Sequence, residues 1–155
     1  ACLSLYCVLN FYKYFSKKTL YSFSKNKSKL MSHASHKVPG VIFSTGSLGH
    51  GLPFAAGKAY INKKDNIYCL ISDGEINEGS NWEAIMFIGY HKLNNIKIIL
   101  DYNKIQSLDF VKNVIDLEPL KKKLNSFGFY VSKLDGHNYK LLKSVIGKKT
   151  NIPQL

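Results

Sequence analysis

Two short apolar runs punctuate the chain, IYCLI over Ile67–Ile71 and IKIIL over Ile96–Leu100. Each stops at a polar cluster, Ser72-Asp73-Gly74 and Asp101-Tyr102-Asn103 respectively. Short continuous apolar runs of this kind read as buried strands of a parallel sheet. A third strand is predicted over Phe129–Leu134, FYVSKL. Helical patterns alternate with the strands. Leu52–Ile61, rich in alanine and apolar residues, follows a turn in which Gly46, Gly49 and Gly51 fall within six positions. Ser80 and Glu83 make a capping-box pattern that opens a helix running to about Leu93. Leu117–Phe127 predicts another helix, closed by Gly128, and Tyr139–Ile146 a last one. Residues 1–13 are apolar enough for a buried helix, although no cap precedes them. From Phe23 to Gly40 neither period holds, and the Ser, Lys and His content reads as a surface loop.

Strand, helix, strand, helix, strand implies parallel βαβ units. The fold class expected is therefore α/β, a doubly wound, mostly parallel sheet flanked by helices. The 155 residues fit one domain, and 45% hydrophobic content can fill a core. No apolar run approaches the roughly 18 residues of a membrane span. Lys, Tyr and Ser interrupt the N-terminal stretch where a signal peptide needs a continuous apolar segment. A cytoplasmic protein without membrane attachment is expected. Cys2, Cys7 and Cys69 are odd in number and lack metal-ligand spacing, so they read as reduced packing residues. The formal charge of +12 raises nucleic-acid binding as a reading. The lysines are scattered or in short groups such as Lys121-Lys122-Lys123, with no RNA-binding signature, and the expectation is no nucleic-acid partner.

In open α/β sheets ligands sit at the carboxyl ends of the strands, so the polar clusters after the two runs mark a site. Asp73 and Asn103 lie thirty positions apart, each just after a strand, with one helix between. A right-handed crossover brings both side chains within reach of one point. A carboxylate and an amide oxygen are hard ligands suited to magnesium or calcium, and magnesium with few protein ligands completes its shell with phosphates and water. The spacing thus implies a phosphorylated ligand. Gly74 lets the backbone approach it closely, and amides at a helix N-terminus add partial positive charge.

Beyond spacing, the string SDGEINEGSNWEAIMFIGYHKLNNIKIILDYNKIQS (Ser72 to Ser107) resembles the thiamine diphosphate fingerprint of the transketolase family. STGSLGHGLPFAAGKA (Ser44 to Ala59) is similar to the family's cofactor loop, MSHASHKVPGV (Met31 to Val41) to its substrate-side loop, and Leu117 to Asn138 to its following helix and strand. The resemblance implies thiamine diphosphate and Mg2+ (or Ca2+) as cofactors. It implies metal ligands Asp73 and Asn103 through their side chains and Ile105 through its carbonyl oxygen. Cofactor-binding positions by resemblance are Gly46, Ser47, Leu48, Gly74, Glu75, Glu78 and Asn103, with Gly46 and Leu48 facing the pyrimidine ring. His33 matches a histidine that contacts sugar hydroxyls, and is the catalytic candidate. Glu78 and Glu83 match acidic residues that join cofactor sites across the family's dimer interface, while Glu83 reads equally as closing the capping box.

The activity implied is transfer of a two-carbon ketol unit between sugar phosphates, performed with a pyrimidine-binding domain or subunit in a homodimer or heterotetramer. Other readings are a deoxyxylulose-phosphate synthase or keto-acid dehydrogenase subunit, and a non-catalytic cofactor-fold module. Ser72 departs from the fingerprint, which has glycine there. The activating glutamate belongs to the family's second domain, and the chain reads as a partial domain over 1–155 that is inactive alone. His33 and His36 read as solvated imidazoles, His50 as loop filling, His137 as part of a helix-starting turn, and Trp82 as packing.

Overall fold

The structure is a computed structural model that describes residues 2–155. The chain forms two compact units, one ending at Leu48 and the other spanning Gly49–Leu155.

In the first unit, α1 (Cys2–Phe11) buries Tyr6 and Leu9, which pack with Leu30 and Val38 of the long loop. The Tyr6 hydroxyl donates to the carbonyls of Met31 (3.0 Å) and His33 (3.3 Å), so the buried helix fixes the loop's path. A short helix not anticipated from the pattern, α2 (Lys17–Leu20), starts where the Ser16 hydroxyl accepts the Thr19 amide. The rest of the loop, to Leu48, consists of turns and bends.

The second unit opens with α3 (Gly51–Ile61), which buries Leu52, Ala55, Ala56 and Ala59 along one face. This i, i+3, i+4, i+7 stripe of mainly small residues lets the helix lie close on the sheet. Strand β1 (Ile67–Ser72) follows, then a 3₁₀ turn over Glu75–Asn77, α4 (Gly79–Tyr90) and β2 (Ile96–Asp101). The strands pair in parallel with Ile67 opposite Ile96 and Ser72 opposite Asp101. Asn95 braces the entry to β2. Its Nδ2 donates to the carbonyls of Ala59, Asn62 and Asp65, tying the end of α3 to the loop before β1. Ile71, Ile85, Ile88, Ile96 and Ile98 form the centre of the core, each burial stabilising by about 1.5–3 kcal/mol relative to exposure. Gly89 admits the carbonyl of Phe127, which would collide with any Cβ there. The chain then runs through α5 (Val111–Val114), α6 (Leu120–Ser126) and α7 (Tyr139–Gly147).

Three expectations are corrected. Phe129–Leu134 is not a regular strand. Residues 153–155 lie beside it: Tyr130 N–H donates to the Pro153 carbonyl (2.9 Å) and Ser132 N–H to that of Leu155 (2.9 Å). Gln154 bridges Tyr130 on one side and Lys97 of β2 on the other, so this tripeptide extends the parallel sheet by bridges alone. The helix expected from Leu117 starts at Leu120, because Glu118 precedes Pro119 and is held out of the helical region. Finally, α4 begins at Gly79 with Glu78 at its cap position, ends at Tyr90 and has no side-chain cap bond. Ser80 does not close a capping box, since its hydroxyl donates to the Gly49 carbonyl at 2.7 Å.

Helix α7 is docked unusually. None of its residues is buried. Lys97 on β2, 8% exposed, donates its ammonium to the carbonyls of Ile146 and Lys148, and Gln154 Nε2 donates to that of Val145. A cation at a helix C-terminus complements the dipole and satisfies orphan carbonyls.

Candidate functional site

At the end of β1 the ladder runs one step further, Asp73 N–H donating to the Asp101 carbonyl at 3.2 Å. This places Asp73 at the sheet's carboxyl edge with only 2% of its surface exposed. Its carboxylate takes two backbone amides: Oδ1 accepts from Gly74 (2.9 Å) and Oδ2 from Lys104 (2.8 Å). Lys104 lies between Asn103 and Ile105, so this bond ties the segment carrying Asn103 to the Asp73 carboxylate. Lys104 adopts a left-handed φ of 67°, which a non-glycine residue holds only where its surroundings impose it. Around it, Asn103 Oδ1 accepts the Ile105 amide at 2.9 Å. The Val111 amide reaches back to the Lys104 carbonyl at 3.0 Å, and Ile105 bridges Phe110, which closes the 104–111 loop on itself. In that loop Asp109 is held below the usual carboxylate range, first by the Asn113 side-chain amide and then by the Phe110 backbone amide.

The donor set matches a hard divalent cation. Each Asp73 oxygen and the Asn103 amide oxygen accepts one hydrogen bond and keeps a lone pair. Among the described residues no group of three His, Cys, Asp or Glu side chains is placed to hold a metal. A cation here would therefore rely on one carboxylate with amide and carbonyl oxygens, the chemistry that magnesium and calcium accept and softer metals do not.

Beyond Asp73 the chain turns tightly. The Ser72 hydroxyl accepts the Glu75 amide at 3.2 Å, so the serine that departs from the fingerprint braces the first residue of the 3₁₀ turn, whose N-cap position is Gly74. The Glu75 carbonyl accepts Asn81 Nδ2 at 2.6 Å, and its carboxylate accepts the Gly49 amide at 3.3 Å. Glu78 is exposed at the start of α4, and Glu83 is exposed within it. Gln106 lies beside Gly74, 3.5 Å from where a Cβ would stand, and its buried Nε2 has no hydrogen-bond partner.

In the first unit, His33 is exposed, and its ring carbon Cγ lies 3.2 Å from where a Cβ on Gly46 would stand. The Thr45 amide donates to the Ala34 carbonyl at 2.9 Å, holding the two loops together. His36 is not a partner of His33: its Nδ1 lies 2.7 Å from the Ser44 hydroxyl. Ser47 and Leu48 are exposed. His50 sits at the N-cap position of α3 without a side-chain cap bond, and the His137 amide donates to Asp135 in the turn before α7.

Asn81, Gln106, Lys104 and the bonding of Ser80 were not foreseen. Asn81 left a signal, since it occupies a buried position in the stripe Asn81, Ala84, Ile85, Ile88 where an apolar residue is expected. The left-handed Lys104 left none.

The family model for the thiamine diphosphate binding domain of transketolase matches residues 1–153. The chain belongs to that family. It is 42% identical over 146 residues to one subunit of an apulose-4-phosphate transketolase from Actinobacillus succinogenes, covering 91% of this chain and 52% of that protein. It is 33% identical over 154 residues to human transketolase, covering 96% of this chain and 25% of that protein. The chain thus spans about half the length of the first relative and about a quarter of the second. Transketolase from Campylobacter jejuni superposes with a TM-score of 0.84 at 32% identity, covering 89% of this chain and 24% of that one. The transketolase-family fold is α/β, with a parallel sheet flanked by helices, as the sequence pattern implied. No helix among the described residues is long and apolar enough to cross a membrane.

Proposed function

We propose that this chain is the diphosphate-binding half of a thiamine diphosphate enzyme that moves a two-carbon ketol unit from a ketose phosphate to an aldose phosphate. The reading is carried by the hydrogen bond from the Lys104 amide to Asp73 Oδ2, which ties the segment bearing Asn103 and Ile105 to the Asp73 carboxylate. Asp73 and Asn103 hold magnesium through their side chains and Ile105 through its carbonyl, with calcium as the other cation such oxygens accept. Gly74 and Glu75 present the backbone of the turn to the diphosphate, and Gly46, Ser47 and Leu48 face the pyrimidine end. Glu78 belongs to the surface joined to a second copy. When bound, the cofactor supplies the electron sink for breaking and making the carbon–carbon bond. The side chains of this unit bind, orient and screen. His33, exposed and steadied through its backbone carbonyl by Tyr6, donates and accepts hydrogen bonds at sugar hydroxyls.

The activating carboxylate and the pyrimidine pocket come from a pyrimidine-binding domain or a separate polypeptide, in a homodimeric or heterotetrameric cytoplasmic enzyme. The Actinobacillus relative is itself named as one subunit of its enzyme, which supports a division of this kind. Ketol transfer from a ketose phosphate, followed with the purified 155-residue chain alone and then with a pyrimidine-domain protein, tests the reading. Turnover is expected only in the second case, and turnover by the chain alone overturns the division of labour.

A further inference from the structure

Gly49 is held from both sides. Its N–H donates to Glu75 Oε1 at 3.3 Å and its carbonyl accepts the Ser80 hydroxyl at 2.7 Å. It is buried with φ at +85°, and a Cβ would stand 2.5 Å from Ser80 Oγ and 2.7 Å from Glu78 Cβ. Only glycine fits, and only with its neighbours in this arrangement. The grip is itself anchored. Glu75 donates its amide to Ser72 and gives its carbonyl to Asn81, a side chain with 0% exposure. Helix α3 meanwhile has no side-chain cap at His50, so the start of the helix is secured one residue earlier, at Gly49.

We propose that Glu75 and Ser80 are positioning residues that hold the Gly49 peptide ready for the organic end of the cofactor, an inference that rests on the function proposed above. Glu75 follows Asp73 and Gly74, which face the diphosphate, whereas Gly49 follows Leu48 directly in the chain. Holding Gly49 removes backbone freedom before binding rather than at binding, and pre-ordering of this kind raises affinity without adding a contact to the ligand. Its effect falls on the thiamine portion and leaves the diphosphate portion alone.

The test measures two dissociation constants in the full enzyme with magnesium, one for inorganic pyrophosphate and one for thiamine diphosphate. Ser80→Ala is expected to weaken thiamine diphosphate by about three- to tenfold, the range of one lost hydrogen bond, with pyrophosphate unchanged. Ser80→Thr, which keeps the hydroxyl, restores the wild-type ratio. Equal weakening of both ligands, or of neither, overturns the proposal. Amide hydrogen exchange at Gly49 in ligand-free protein supplies a readout that needs no ligand. Faster exchange in a Glu75→Ala variant than in wild type is expected, and identical exchange overturns the clamp. Failure of the wild type to bind either ligand refutes the function reading instead, and leaves the exchange result to decide the clamp.

Discussion

The backbone amide of Lys104 lies 2.8 Å from Oδ2 of Asp73, across 31 positions of sequence. This bond joins the segments that follow β1 and β2, and Lys104 makes it from a left-handed conformation. Lys104→Gly keeps the amide and removes the conformational cost. It should leave magnesium-dependent cofactor binding intact and change stability by no more than about 1 kcal/mol. Lys104→Pro removes the donor and forces φ to negative values, so it should abolish that binding. Titration calorimetry of both variants checks the pair, and equal affinities would remove Lys104 from the site's construction.

His33 separates sugar chemistry from cofactor chemistry. His33→Ala should lower turnover and raise the KM for the sugar phosphate, with thiamine diphosphate affinity within about twofold of wild type, because the proposed role of His33 is at the sugar and it lies in neither segment that carries Asp73 and Asn103. A comparable loss of cofactor affinity would make His33 a folding or cofactor residue.

Cys69 sits in β1 facing the core. Burial, with a smaller contribution from the Glu75 charge, pushes its thiol up to about 12. A thiol with a raised value stays protonated, and only the thiolate reacts. Between pH 7 and 9, alkylation of the native protein should label exposed Cys7 and leave Cys69 intact until denaturant is added. Rapid native labelling of Cys69 at pH 8 would contradict the packing of α3 and α4 on the sheet.

The parts of the fold that depend on local pattern were legible in the sequence. IYCLI and IKIIL are strands as their apolar runs predict, although β1 is covered on one face only, Cys69 and Ile71 being buried while Tyr68 and Leu70 are exposed, and α3 follows its alanine stripe. Asp73 and Asn103 were placed by their position after those strands. Long-range pairing was not legible. FYVSKL has strand composition, yet its partner is the tripeptide 153–155 and only bridges result. Ser80 and Glu83 have the spacing of a capping box, but the Gly49 carbonyl, 31 positions away, captures the Ser80 hydroxyl. No spacing rule reports such a competitor. The left-handed turn at Lys104 likewise accompanies a bond to Asp73, 31 positions away, and lysine carries no local preference for it.

On the proposed function, Asp73 and Asn103 hold a divalent cation that in turn holds a diphosphate. Calorimetric titration of thiamine diphosphate into the full enzyme with magnesium, with a chelator, and with magnesium restored, for wild type and Asp73→Ala, reads this arrangement without intermediary. Wild type should bind in magnesium, lose binding to the chelator and regain it. Asp73→Ala, lacking the single charged ligand, should bind at least about 30-fold more weakly, equivalent to roughly 2 kcal/mol, and should not respond to magnesium. Equal affinity of wild type and variant in magnesium, or wild-type binding indifferent to the chelator, would contradict the assignment.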